Sequence, residues 1–93
     1  MTLSDTAVSM NACNSQGTGC GSKTVKVTLQ NAAAGATVSA TKVPANLRVT
    51  LTSQAGGVYT FVIAAYNSTR TKNSVEFTGT NCGLPKVVSV TTK

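Results

Sequence analysis

Residues 47–67 read LRVTLTSQAGGVYTFVIAAYN, and this stretch decides the fold class. Residues 47–52 and residues 58–66 are two apolar runs patterned with period two, and Gly56 and Gly57 stand between them. A period of two places alternate side chains on opposite faces of an extended chain, and a glycine pair suits a tight turn. The stretch therefore predicts a strand, a tight connection and a second strand.

The rest of the chain carries further short segments of the same kind. In residues 23–30, Val25, Val27 and Leu29 alternate with polar residues, and Pro44 closes residues 37–43 because proline cannot donate to a strand ladder. No helical period extends over a useful length. The predicted strands are residues 6–10, 23–30, 37–43, 47–52, 58–66, 74–78 and 86–91. Seven short strands separated by turn signals predict an all-β sandwich.

The predicted interior is small and mostly aliphatic. The chain has 93 residues, enough for one domain, and contains no Trp, two Phe and two Tyr. We assign residues 1–93 to a single domain and expect residues 1–22 to be a flexible or partner-packed N-terminal segment. The residues expected to define the core are Val25, Val27, Val49, Leu51, Tyr59, Phe61 and Ile63.

The chain is strongly basic but has few charged residues. Charged residues make up 11% of the chain, against about 25% in typical soluble domains. Eight Lys and Arg face only Asp5 and Glu76, so the net charge is +6. The cations are scattered, which suits either docking on a polyanion or simple solubility and protection of strand edges. Specific nucleic-acid recognition is not expected, because Tyr66 is the main aromatic side chain left outside the core for base stacking.

Three cysteines, Cys13, Cys20 and Cys82, are candidates for disulfide formation. Cys13 and Cys20 flank a short loop rich in Gly, Asn and Ser, which favours a local bond between them. The alternative pairs one of the two with Cys82 and joins the beginning of the chain to its end. In either case one cysteine is left over. A metal site is not expected, because the chain has no His and no Cys-x-x-Cys spacing.

The sequence does not predict an enzyme. Without His, the Ser–His and Cys–His nucleophile pairs cannot form. Asp5 and Glu76 are not expected to form an acid–base pair, because Asp5 lies in the N-terminal tail and Glu76 on a predicted strand. Glu76 follows Arg70 and Lys72 closely in sequence, and a salt bridge is its expected use. No cofactor is expected. Residues 1–5 lack the features of a signal peptide, and no apolar run approaches the roughly 20 residues that span a bilayer, so we expect no membrane insertion.

The residues Gly57-Val58-Tyr59-Thr60-Phe61 resemble a pattern of immunoglobulin-like domains, in particular those of bacteria and phages. These domains carry a Tyr two residues before a core position, and its hydroxyl caps the corner between two strands. Tyr59 occupies the Tyr position, and Phe61 stands where antibody domains have their second cysteine. The resemblance implies an immunoglobulin-like Greek-key sandwich of about seven antiparallel strands, with Tyr59 capping a corner and residues 86–91 forming an extra strand.

The expected function is that of a non-enzymatic structural or interaction module displayed on a surface. A virion accessory or capsid decoration protein of a bacteriophage is the leading hypothesis, with a capsid surface or neighbouring copies of the chain as partners. The alternatives are an extracellular adhesin or carbohydrate-binding module, whose partner would be an acidic glycan, and a self-assembling filament subunit. The expected location is the virion surface or the extracellular space. Contacts are expected at the loops 11–22, 67–73 and 80–85, with Tyr66, Arg70, Lys72, Asn73 and Lys86 as candidate residues.

Overall fold

The structure of the chain, a computed structural model, describes residues 2–29, 36–79 and 85–93. These residues form eight strands and no helix, so no helix that could cross a membrane occurs among them. The strands are β1 (Thr2–Leu3), β2 (Ala7–Met10), β3 (Ser22–Thr28), β4 (Val38–Lys42), β5 (Leu47–Ala55), β6 (Val58–Ala65), β7 (Lys72–Gly79) and β8 (Lys86–Thr92).

The strands form two four-stranded sheets. One sheet has the order β1-β3-β6-β5 and the other the order β2-β8-β7-β4. The chain changes sheets between β1 and β2, so its first ten residues contribute a strand to each sheet. The buried side chains of both sheets form one continuous core between them, and the predicted all-β sandwich is thereby confirmed.

All seven predicted strands are present, and two features of the pairing go beyond the prediction. The additional strand is β1, whose two residues pair with Thr28 and Val27 of β3. The pairing of β2 with β8 is parallel, from Ala7 opposite Ser89 to Met10 opposite Thr92, whereas the other strand pairs are antiparallel. An alternating pattern marks a strand but does not encode the direction of its partner, which is set by the path of the whole chain.

The glycine pair forms the predicted turn between β5 and β6. Gly56 and Gly57 have φ angles of +58° and +80°, as two-residue hairpin turns with positive φ at both positions require. The carbonyl of Gly57 also accepts a hydrogen bond from the N–H of Leu29 at 2.8 Å. The turn therefore closes the hairpin and anchors the residue that follows β3.

The core is built mainly from the inward faces of the central strands. Phe61 of β6 packs against Phe77 of β7 across the two sheets, with ring centroids 4.8 Å apart. Val25, Val27, Tyr59, Phe61 and Ile63 are buried as predicted, and Val49 is half-buried at the margin. The remaining buried apolar residues are Met10, Ala12, Cys13, Leu29, Val38, Leu47, Ala65, Val75, Phe77, Val88 and Val90.

The prediction that Leu51 belongs to the core is wrong. Its side chain is 42% exposed, although it lies beside the buried Phe61 in the β5–β6 register. β5 is the edge strand of its sheet, and its register with β6 shifts between Leu51 and Ser53. A residue of the inward pattern at a sheet edge is buried only where the opposite sheet extends over it, and here it does not.

The corner role predicted for Tyr59 is also wrong. β5 and β6 are neighbours in one sheet, so no corner between sheets lies at this position. The Tyr59 hydroxyl instead donates a 2.7 Å hydrogen bond to the carbonyl of Ala36, just before β4 in the other sheet. The strand predicted to be extra is β8, which lies between β2 and β7.

We expect Tyr59→Phe to lower the free energy of unfolding by about 1–2 kcal/mol, because it leaves the part-buried carbonyl of Ala36 without its donor. Chemical denaturation followed by circular dichroism measures the change. Tyr66→Phe is the matched control, since Tyr66 is 53% exposed, and should change the stability little. Equal stability of Tyr59→Phe and the unmodified chain would show that this bond does not hold the two sheets together.

Candidate functional site

The disulfide expected within the first loop is present. Cys13 and Cys20 are bonded and close the loop between β2 and β3. Cys13 is fully buried, and its N–H donates to the carbonyl of Asn67 at 3.0 Å. A cross-link over a loop this short contributes roughly 2–3 kcal/mol by restricting the unfolded chain. Cys82 lies outside the described residues.

Asn14 shapes the loop that this disulfide closes. Its side-chain oxygen accepts hydrogen bonds from the N–H groups of Gln16 and Thr18, at 3.0 and 3.1 Å. The backbone N–H of Asn14 donates to the carbonyl of Thr18 at 2.8 Å. Glycine at position 17 supplies a φ of +78° within the same turn. The loop therefore has a defined conformation despite its polar composition.

A second loop, residues 66–71, is fastened to the end of β8. The Thr92 hydroxyl is buried and lies 2.9 Å from the carbonyl of Thr69 and 3.1 Å from that of Thr71. It also accepts a hydrogen bond from the N–H of Thr71 at 3.1 Å. The Asn67 side chain accepts a further bond from the N–H of Thr69 at 2.9 Å. A polar loop is thereby held against the sandwich.

The two loops and the end of β8 meet at one end of the molecule. Ala12 donates to the carbonyl of Lys93, and Cys13 donates to the carbonyl of Asn67. This surface, formed by residues 11–21, residues 66–72 and Lys93, is called the basic end below. Two of the three loops predicted to carry contacts are thus brought together. The third, residues 80–85, follows β7 and falls mostly outside the described residues.

The basic end, as defined by its residues, contains no Asp or Glu side chain. Arg70, Lys72 and Lys93 are exposed, and none of them takes part in an ion pair within the described part of the chain. The predicted salt bridge of Glu76 is confirmed, but its partner is Lys42, at 3.3 Å, on the neighbouring strand β4. Glu76 is therefore engaged elsewhere.

A polar hollow adjoins the basic end between β2 and β3. Its volume is about 310 Å³, and Lys23 and Lys93 line it together with Ser9, Asn11 and Ser22. Asp5 lines a neighbouring hollow together with Lys23. Two ammonium groups beside hydroxyl and amide groups make this hollow a site for anionic rather than cationic groups.

The remaining candidate residues are distributed around the molecule. Tyr66 begins the second loop, and the Arg48 guanidinium stacks on its ring at 3.9 Å from the centroid. Asn73 follows Lys72 on β7, and its side-chain oxygen is buried without a hydrogen-bond partner. Lys86 pairs with Phe77 at the other end of the β7–β8 hairpin and does not belong to the basic end.

Sequence reasoning missed Lys23, Arg48 and Lys93 as members of these surfaces. Each stands at the end of a strand or beside a loop, and no local motif marks it. Only the order of the strands in the sheets shows that these residues lie near the candidate loops.

The described residues offer no arrangement suited to catalysis by a metal. No group of three or more His, Cys, Asp or Glu side chains that could hold a metal ion occurs among them. What the geometry presents is a set of exposed cations, with Arg70 on the second loop, Lys72 at the start of β7 and Lys93 directly after β8. Such a surface can bind anionic groups.

Comparison of the chain with protein families, curated proteins and solved structures finds no match.

Proposed function

We propose that the chain is a non-enzymatic, immunoglobulin-like interaction module that is displayed on a virion or in the extracellular space and docks through its basic end on an acidic protein surface. On a virion, that surface would be the capsid and the module a decoration protein. The observation that carries the proposal is that Arg70, Lys72 and Lys93 all lie at the basic end, whose loops are held in place by the disulfide and by Thr92.

The strand order supports the immunoglobulin-like part of the proposal. Constant-type immunoglobulin domains have strands A, B, E and D in one sheet and C, F and G in the other. If β1 and β2 are the two halves of the first strand, the order β1-β3-β6-β5 corresponds to A-B-E-D. The order β8-β7-β4 then corresponds to G-F-C. In this assignment Tyr59 lies on strand E, which explains why it caps no E–F corner.

The disulfide and the charge pattern support display outside the reducing cytosol. Disulfides persist in oxidising compartments and on virion or cell surfaces. Cys13 and Cys20 are bonded, and the surface of the module is rich in Thr, Ser and Asn with few charges. Within such a surface, a local group of cations without acidic neighbours attracts an anionic partner selectively.

The experiment measures binding of the module to immobilised polyglutamate, which stands in for an acidic protein surface. Arg70→Gln combined with Lys72→Gln should weaken binding by about tenfold, since two contacts of roughly 0.5–1 kcal/mol each correspond to that factor. Lys26→Gln combined with Lys86→Gln removes the same charge from exposed positions outside the basic end and is the matched control. Equal weakening of binding by both double variants would show that net charge alone accounts for the binding, and would refute a localised site.

An acidic glycan is the second candidate ligand, and the exposed Tyr66 at the start of the second loop favours it. Sugar rings pack on exposed aromatic faces, and Arg48 lies beside this ring as a partner for a carboxylate or sulfate. The same binding assay on heparin separates the two ligands. Tighter binding to heparin than to polyglutamate, lost in Tyr66→Ala, would favour the glycan over the protein surface.

A further inference from the structure

The free edge of β5 is the most exposed pairing surface among the described strands. β5 is nine residues long and forms one edge of its sheet. The other edge strands are shorter: two residues in β1, four in β2 and five in β4. Beyond Arg48, β5 carries no charged residue, although charges on an edge strand are the usual protection against pairing with another chain.

The backbone direction shows which groups of β5 are available. The carbonyl of Asn46 faces β6, because it accepts the N–H of Tyr66 at 2.9 Å. Backbone groups of successive residues point to opposite sides of a strand. Those of Leu47, Val49 and Leu51 therefore face away from β6. The N–H of Leu47 is already bonded to the carbonyl of Pro44, which leaves Val49 and Leu51 open to a further strand.

The side chains along this edge are uncovered as well. Leu51 follows the inward pattern yet is 42% exposed, and Val49 is half-buried. A groove of about 390 Å³ runs beside the start of β5. It is lined by the consecutive residues 47–50, whose side chains alternate between the two faces, and by Val43, Pro44, Ala45 and Tyr66. Because side chains from both faces of β5 line this groove, the groove lies along the free edge of the strand.

We propose that β5 pairs edge to edge with β5 of a second copy of this chain, antiparallel and about a two-fold axis at Thr50. Val49 of each copy then lies opposite Leu51 of the other, and both residues direct their open backbone groups to the partner. The pair covers the exposed side chain of Leu51 and the exposed part of Val49. This inference goes beyond the proposed docking function and uses a different surface.

The sequence of β5 fits a second copy better than an acidic peptide. In this register Thr50 meets its own equivalent, and Arg48 lies opposite Thr52 of the other copy rather than opposite a like charge. The two Arg48 residues are about 13 Å apart along the strands, at four residues of roughly 3.2–3.4 Å each. An acidic peptide would be favoured by the single cation Arg48 but would gain nothing from the symmetric placement of Val49 and Leu51.

The expected pair is weak in dilute solution. The register shift after Leu51 ends regular pairing, so the shared ladder is short. We therefore expect a buried area below the roughly 1,200–2,000 Å² that stable interfaces have. Display of many copies on one surface raises their local concentration and would make the contact effective.

A cysteine cross-link tests the register. In a Cys82→Ser background, Thr50→Cys should form disulfide-linked dimers on mild oxidation, because the two residues face each other at the axis. Arg48→Cys is the control, since its copies lie about 13 Å apart, beyond the reach of a disulfide. Cross-linking of Arg48→Cys as fast as Thr50→Cys would refute the register, and absence of Thr50→Cys dimers at millimolar concentration would refute the pairing.

Sedimentation of the unmodified chain and Leu51→Lys separates this contact from docking by the basic end. Leu51→Lys should raise the dimer dissociation constant at least about tenfold, and circular dichroism should show an intact fold because Leu51 is exposed. Added salt should strengthen the dimer by screening two chains of net charge +6, but weaken binding to polyglutamate. If Leu51→Lys leaves the dimer dissociation constant unchanged, or if salt dissociates the dimer, the chain associates through another surface and the inference is overturned.

Discussion

Phe77→Ala should cost about 3–5 kcal/mol of the free energy of unfolding, the usual range for removing a buried aromatic ring. Phe77 is fully buried on β7, and its ring contacts that of Phe61 across the sandwich. The chain has two Phe and no Trp, and most of the other buried apolar residues are aliphatic and smaller than Phe, so they cannot fill the space that the ring leaves. Because domains of this size have total stabilities of about 5–15 kcal/mol, the variant should be near the limit of folding.

Denaturant unfolding followed by circular dichroism measures this cost. Val87→Ala is the control, because Val87 lies on the neighbouring strand β8 but is 47% exposed, and its loss should change the stability by less than about 0.5 kcal/mol. A cost for Phe77→Ala as small as that of the control would mean that the two sheets are not held together by this ring pair.

Gly57→Ala should cost more than about 2 kcal/mol. Gly57 has a φ of +80°, which alone costs an L-residue roughly 1–2 kcal/mol. A Cβ at this position would also lie 2.7 Å from the carbonyl oxygen of Leu29, a backbone atom that cannot move aside without disturbing the end of β3. The hydrogen bond from Leu29 to Gly57 would then be lost together with the turn geometry.

Gly56→Ala is the matched control in the same turn. Gly56 has a φ of +58°, but no atom lies within 4 Å of a Cβ built there, so only the conformational cost remains. Asn tolerates this region and is favoured in such turns, so Gly56→Asn should be close to neutral. Thermal unfolding of the three variants measures the order of stability. Equal losses of stability in Gly56→Ala and Gly57→Ala would show that the close approach to Leu29 does not contribute to the cost.

The strands were predictable from sequence because they depend on local alternation. Val25 and Val27 mark β3 and Val75 and Phe77 mark β7 without reference to the rest of the chain, and all four are buried. Position within the sheet is a non-local property. The pattern at Leu51 is the same as at Phe61, yet β5 is an edge strand and β6 a central one, so one side chain is exposed and the other buried.

The candidate site was predictable in part for the same reason. Loop composition identified Arg70 and Lys72, and the spacing of Cys13 and Cys20 favoured the bond that the structure contains. The contribution of Lys93 depends on the hydrogen bonds that join the first loop to the end of β8. Residues so distant in sequence share a surface only through the strand order, which no local pattern specifies.

The parallel pairing of β2 with β8 determines how the molecule carries mechanical load. Tension that enters before Ala7 and leaves after Thr92 pulls these two strands along their length in opposite directions. Their hydrogen bonds are then sheared together instead of being opened one after another from an end. A domain built in this way resists stretching until the whole strand pair slips.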